Sequence, residues 1–431
     1  MNKLQIIILT ASVILAVLAL LIFSGFLPGF RNEAPGEAGQ IIFWGALPKT
    51  SLTPVLNDFS QRFRNIRVEY REIPAQNYAD TLVSALASGT GPDVFILPQD
   101  QILKQKDLLY PLDSKTYPPR VFRDSFADIG ELYARPEGIA GLPLAIDPMV
   151  LYWNRDLFRN AGIAQPPSTW DEFLDTAKKL TIKNGARITQ SGAAMGEFSN
   201  VKNAKDILSL LILQTGNKIV DPQTLKTVFA NKSASETLSA AESALLFFIS
   251  FSDPIKENYS WNRTIPDSLE AFGAGRLAMY IGYASDLDKI LALNPHLNFD
   301  IREVPQISGG SLSATYGQSL ALAVSRQSAN KATALTFIYD MTGLQSQNLL
   351  GQNSFSAPAL RVALNQAQEN PVLAVFYKSA VKSLGWLDPS PSETLAIWKE
   401  MSESVLSGAK RINQAVSDAQ RKFEAIIPQD K

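Results

Sequence analysis

What most restricts the fold of this chain is the alternation, from residue 41 onward, of short apolar runs with stretches of helical period. Ile41-Ile42-Phe43-Trp44 ends at Gly45, as a buried strand entering a turn does. Thr53-Pro54 then opens a stretch in which Val55, Leu56, Phe59 and Phe63 share one helical face. Val68 and Tyr70 alternate with Glu69 and Arg71, which reads as a second strand. Tyr78, Leu82, Ala85 and Leu86 mark a helix that stops at Gly89, and Val94-Phe95-Ile96-Leu97 is a third strand. This order predicts α/β layers around a largely parallel sheet. A length of 431 residues leaves room for two lobes.

Further along, Gly141 to Asp147 and Val150 to Asn154 read as one extended stretch. Trp170 to Leu180 is a helix with Ser168 or Thr169 as cap and Glu172 close by. Residues 204–215 and 234–250 are apolar-faced helices, Ala278-Met279-Tyr280-Ile281 is a strand, and residues 393–425 are strongly helical. No internal repeat is visible.

The N-terminus is of another kind. No charged residue occurs between Leu4 and Phe30, and Ile6 to Leu27 holds fifteen Leu, Ile, Val or Phe residues before Pro28. On an insertion scale those residues favour a bilayer by about 5–9 kcal/mol. At helical rise the run reaches about 33 Å, enough to span a hydrocarbon core. The nearest small-x-small site, Gly36-Glu37-Ala38, stands well beyond the run, which favours an uncleaved signal anchor over a cleaved signal peptide. Lys3 lies before the run and Arg31, Glu33 and Glu37 after it, which places everything past Arg31 outside the cytoplasm. Residues 1–30 are thus expected to be a transmembrane helix and residues 31–39, with Pro35 and two glycines, a linker.

Charge and residue usage remove several function classes. A formal net charge of −1, with neither a basic nor an acidic tail, argues against nucleic acid as a partner. There is no cysteine and one histidine, His296, so disulfides, thiol catalysis, thiolate metal sites and a lipid-modified cysteine are all excluded. His296 lies in the turn Asn294-Pro295-His296 and reads as a solvated loop residue rather than a triad member. Gly273-Ala274-Gly275-Arg276-Leu277-Ala278 fits a dinucleotide pattern, but with helix before and strand after, the reverse of what pyrophosphate binding requires. S-x-x-K begins at Ser199, Ser328, Ser379 and Ser407 without partner motifs, as chance would give. No cofactor and no metal are expected.

Asp147 and Glu197 can be read as paired glycosidase carboxylates or as hydrogen-bond acceptors for a sugar. Trp44, Tyr152, Trp153, Trp261, Tyr283, Tyr316 and Trp386 fall mostly at strand ends or in loops, where an aromatic face can stack on a sugar ring or else fill a core. Trp261 follows the polar loop Asp253 to Ser260 and precedes Asn262 and Arg263, which places it poorly for a core and well for offering one face to a cleft. A membrane-anchored glycan-acting hydrolase and a ligand-sensing receptor subunit are open at this point beside a binding protein.

The run Gly141 to Asp147, continued by Leu151-Tyr152-Trp153-Asn154-Arg155-Asp156-Leu157-Phe158, Ala161-Gly162 and Pro166 to Phe173, resembles extracellular solute-binding proteins of the maltose-binding-protein superfamily. Gly91-Pro92-Asp93-Val94, Phe272 to Met279 and Ala321 to Thr342 agree with it in order and spacing. The resemblance implies two α/β lobes with a periplasmic-binding-protein-like fold, discontinuous in sequence and joined by a hinge. The lobes would comprise 40–146 with 304–351 and 147–303 with 352–431, with crossings near 144–150, 299–305 and 351–358. It implies a non-catalytic substrate-binding subunit that hands a small molecule, a sugar, oligosaccharide or polyol, to ABC permease subunits. Matching positions make Lys49, Gln99, Asp100, Asp147, Glu197, Trp261, Tyr283, Ser285, Tyr316 and Trp386 the implied ligand contacts. Gly282 is followed by Tyr283-Ala284-Ser285 without the tryptophan of maltose binders, which points away from maltose itself and leaves glycerol phosphate open.

Overall fold

A computed structural model describes residues 39–428 except 114, 116, 186 and 233–235. The expected anchor, residues 1–30, and all of the linker but Gly39 lie outside the described residues. Among the described residues no helix is long and apolar enough to cross a membrane.

The first third folds as the alternation predicts. Strand β1 (Gly39–Gly45) lies between β2 (Ile66–Glu72) and β3 (Val94–Pro98), parallel to both. Helix α1 (Lys49–Arg62) buries Leu52, Val55 and Phe59, and α2 (Ala75–Ala87) buries Tyr78, Leu82 and Leu86. Each such side chain taken fully out of water contributes about 1.5–3 kcal/mol. Gly89 takes φ +73° just past the end of α2, where a side chain would be strained. Helix α1 begins earlier than the proline suggests: Pro54 sits inside it, and the Thr53 hydroxyl donates to the Lys49 carbonyl.

Strand β4 (Leu142–Asn154) organises the rest. Thirteen residues long and almost entirely buried, it runs through both halves of the molecule. Helix α3 (Trp170–Leu180) has the expected capping box, with Thr169 and Glu172 each satisfying the other's backbone N–H. It is followed by β5 (Ile182–Asn184), β6 (Arg187–Ala193), and the helices α4 (Ala204–Leu213) and α5 (Ala240–Ser250). Then come β7 (Leu277–Tyr283), α6 (Asp286–Leu293), β8 (Phe299–Glu303), β9 (Thr315–Val324) and α7 (Lys331–Met341). The chain closes with β10 (Ala357–Pro358), α8 (Pro371–Val381), β11 (Ser383–Leu384), α9 (Pro391–Leu406) and α10 (Ile412–Ile426). The eleven strands form one sheet in the order β2-β1-β3-β9-β4-β7-β6-β5, with β8 and β10 also on β4 and β11 on β9. The sheet is mixed rather than largely parallel: β9 is antiparallel to β3 and β4, and β4 to β7 and β8. The reason is that β4 and β9 carry the chain in opposite senses between two cores.

Those two cores are distinct. The first gathers β1 to β3, α1, α2 and β4 up to Ile146, with Ala321 to Val324 and Phe337. The second begins at Met149 and takes in α3 to α5, β7, Tyr316, Trp386, Trp398 and Phe423. Strand β4 passes from one to the other at Asp147-Pro148. Strand β9 makes the return, with Tyr316 in the second core and Ala321 in the first. Residues 299–303, within the span where a crossing was expected, are β8, which pairs with β4 on the second side. Ala357, Ala359 and Leu364 still pack in the first core, and α8 lies across both, with Phe376 in the second and Tyr377 and Ala380 in the first.

Candidate functional site

The C-terminal end of β3 faces the second core across the crossing strands. Gln99 is buried there, its Nε2 donating to the Gly317 carbonyl at 2.9 Å and its Oε1 accepting from the Ser319 N–H at 3.0 Å. A β-carbon on Gly385 would stand 2.5 Å from that Nε2, so only glycine lets the chain before Trp386 pass this amide. Next to Gln99 comes Asp100, half-buried, whose charged neighbours Lys205, Asp388 and Asp206 all belong to the other side. Burial pushes the Asp100 carboxyl up to about 6; Asp388 and Asp206 push the same way, and Lys205 opposes them.

Helix α4 supplies the facing wall. Beyond its first turn it is apolar almost all round, and Lys205 and Asp206 bring the charge at its start. Lys205 Nζ lies 2.7 Å from Asp388 Oδ2, and Asp388 also accepts from the Thr394 hydroxyl. Asp206 Oδ2 accepts from the Tyr283 hydroxyl at 2.9 Å. Burial raises the Asp206 carboxyl, against the pull of Lys205 and Tyr283. Tyr283 and Tyr316 are buried with their hydroxyls pushed well up, first by burial and then by Asp206. Trp386 donates through Nε1 to Ser209 Oγ at 3.1 Å, lies 5.6 Å from Lys205 Nζ and stacks on Trp398. Where β4 changes cores, Asp147 Oδ1 accepts from the Ser285 N–H at 3.0 Å, and burial pushes its carboxyl up to about 7.

Of the ten residues singled out by sequence, Gln99, Asp100, Tyr283, Tyr316 and Trp386 come together, with Asp147 and Ser285 where β4 passes from one core to the other. Three do not join them. Lys49 is exposed at the start of α1, its backbone N–H bound by Glu72. Glu197 is held at 2.8 Å by Arg263. Trp261 is fully buried in the second core, its indole N–H donating to Asn200 Oδ1 at 2.9 Å. The expectation that Trp261 offers a face to a cleft is therefore corrected: the ring fills the core, and the adjacent Ser260 is buried with it, its hydroxyl donating to the Ala193 carbonyl. Lys205, Asp206 and Asp388 were missed. Their signal was two charges opening an otherwise apolar helix and an acid two residues after a tryptophan.

A cavity of about 650 Å³ opens between the two halves a little past Asp100. Ile102, Leu103 and Arg135 line it from the first side, and Gln223, Leu225 and Ile427 from the second. None of the ten residues singled out by sequence lines it.

This architecture, two cores joined by crossing strands with charged and aromatic groups between them, is that of two-lobed substrate-binding proteins. An ABC substrate-binding protein of Listeria monocytogenes, solved in complex with cycloalternan, superposes with a TM-score of 0.70 at 17% identity, covering 90% of this chain and 99% of that one. A cyclo/maltodextrin-binding protein complexed with maltotetraose gives 0.71 at 18% identity, covering 90% and 96%. Residues 45–343 match the family described as bacterial extracellular solute-binding protein, and the chain belongs to that family. Among relatives by sequence, the sn-glycerol-3-phosphate-binding periplasmic protein UgpB of Agrobacterium fabrum is 22% identical, over 91% of this chain and 93% of its own length. A putative binding protein of Brucella abortus is 22% identical over 69% and 71%. The chain is thus a solute-binding protein and not an enzyme, with its binding domain outside the cytoplasm.

Proposed function

We propose that this protein captures a carbohydrate between its lobes by hinge closure and delivers it to the permease subunits of an ABC importer. The first lobe would comprise residues 40–146 with the chain that β9 returns from about Leu320 onward, including Ala357, Ala359 and Leu364, and the second would begin at Met149 and keep Val304 and Tyr316. The observation that carries the reading is the facing of Gln99 and Asp100 on one lobe by Asp206, Tyr283, Tyr316 and Trp386 on the other. Carboxylates and amides accept and donate to sugar hydroxyls, and aromatic rings cover the apolar faces of sugar rings. The ligands named for the solved relatives, cycloalternan and maltotetraose, are of that class. Asp147 and Ser285 would act at the hinge, where a side chain of β4 holds a backbone group of the second lobe.

The relatives named for sn-glycerol 3-phosphate support a second ligand class. The charge of the site opposes it, because Asp100, Asp206 and Asp388 surround a single Lys205. A phosphate dianion would meet net negative charge in a poorly solvated place. A thermal-shift screen separates the readings. A neutral oligosaccharide at about 100 times its Kd should stabilise by about 2.7 kcal/mol, while glycerol 3-phosphate leaves the melt unmoved. Stabilisation by glycerol 3-phosphate with no response to any sugar would overturn the carbohydrate reading.

The apolar run from Ile6 to Leu27 supports tethering by an uncleaved helix. Protein recovered from membranes should still begin at or near Met1. A mature N-terminus near Gly39 in the soluble fraction would exclude the tether.

A further inference from the structure

The loop that follows α4 behaves unlike its surroundings. Residues 219–228 fold back on themselves, with Val220 bridged to Thr227. The Asp221 carboxylate accepts from the N–H groups of Gln223 and Thr224 at 3.1 and 2.9 Å, and Lys218 Nζ holds its other oxygen at 2.8 Å. Those bonds, Lys218 first, keep the Asp221 carboxyl well below the usual range. The turn forces Leu225 to φ +54°; among the described residues only Asn203 is another non-glycine at positive φ. A leucine there is disfavoured, and such a conformation persists only where its surroundings over-determine it.

What the strained residue does is visible in its packing. The loop belongs to the second lobe, tied to α10 by Thr227 donating to Glu424 and the Ala230 N–H to Gln420. Leu225 nevertheless packs against the first core, not the second. Three residues before it, the Pro222 carbonyl accepts from Arg135 Nη1 of the first lobe at 2.8 Å. Ile102, Leu103 and Ala140 of the first lobe share the cavity wall with Leu225. This contact stands apart from the crossing strands and from every residue of the candidate binding site.

We propose that residues 221–227 form a latch by which the second lobe grips the first and sets how far the lobes stay closed before ligand arrives. The latch rests on the hinge-closure reading, since lobes that do not move need none. Its contacts join the two lobes without touching ligand, so they stabilise whichever arrangement keeps them and shift the open–closed equilibrium by themselves. Asp221 acts as a positioning residue: it shapes the turn, and the turn delivers Leu225.

The chain has no cysteine, so spin labels can be placed at Gln61→Cys on the first lobe and Ile255→Cys on the second without further change. Distances between them are read in the ligand-free full chain. Leu225→Gly removes the side chain at a φ glycine adopts freely, so the loop keeps its path; Asp221→Ala unties the turn instead. Both should raise the longer-distance population severalfold. Asp100→Trp, a wedge between the lobes at the binding site, serves as the control for hinging. A distribution unchanged by Leu225→Gly and Asp221→Ala, while Asp100→Trp lengthens it, overturns the latch and leaves the hinge standing. No lengthening in any of the three overturns the hinge itself, and the latch with it.

Discussion

Trp261 and Trp386 are both buried in the second core, but beside different neighbours. The first fills the second core, bonded to Asn200. The second lies where the lobes meet, bonded to α4 and close to Lys205. Trp261→Ala should therefore cost about 3–5 kcal/mol of stability in urea unfolding. Affinity measured on the folded fraction should stay near wild type; a stable variant with lost affinity would refute the core assignment. Asp147 permits a test by pH. Its carboxyl is raised by burial from an ordinary value near 4 to about 7. The native state then holds a proton that the unfolded chain releases, and between about pH 4 and 7 stability falls as pH rises. Asp147→Asn removes this slope while keeping an acceptor for the Ser285 N–H. The variant should gain melting temperature over wild type at pH 8 and lose that gain at pH 4.5. An equal difference at both pH values would show that Asp147 is not desolvated.

At the scale of elements, helix α3 shows how much local sequence decides. Thr169 and Glu172 cap it as their spacing announces, and Phe173, Ala177 and Leu180 return at helical period to one buried face. The partner of that face was not announced. Strand β6 runs so close to α3 that a β-carbon on Gly192 would lie 2.0 Å from the Ala177 carbonyl. Gly192→Ala should cost about 1–3 kcal/mol in chemical unfolding, from a forced shift of strand against helix. An unchanged midpoint would mean that the two elements separate without strain. Helix α4 makes the complementary point. Its apolar run from Ile207 to Leu213 was legible, yet the charge that matters sits in its first turn and faces a residue of the other lobe.

At the scale of the molecule, two cores share two crossing strands, and the proposed closure would turn about Asp147-Pro148 and the start of β9. Small-angle scattering should show a smaller radius of gyration with a saturating sugar ligand than without. An equal radius in both states, with binding verified by calorimetry, would argue that capture occurs without closure. The latch adds a constraint on the ligand-free protein: before ligand is added, Leu225→Gly should already be more extended than wild type.

The strand–helix alternation from Ile41 to Leu97, the capping box at Thr169 and the exclusion of thiol, disulfide and cysteine-metal chemistry were determined by the sequence itself. Each depends on residues close in the chain or on composition alone. Tertiary structure decided the rest. The crossing by β9 rather than near 299–305, the mixed sheet and the meeting of Asp100 with Lys205, Asp206 and Asp388 join residues more than a hundred positions apart. Local period records which face of an element is buried but not what buries it. Trp261 is the plainest case: its neighbours are polar, its ring is not, and only the fold reveals which of the two the core has taken.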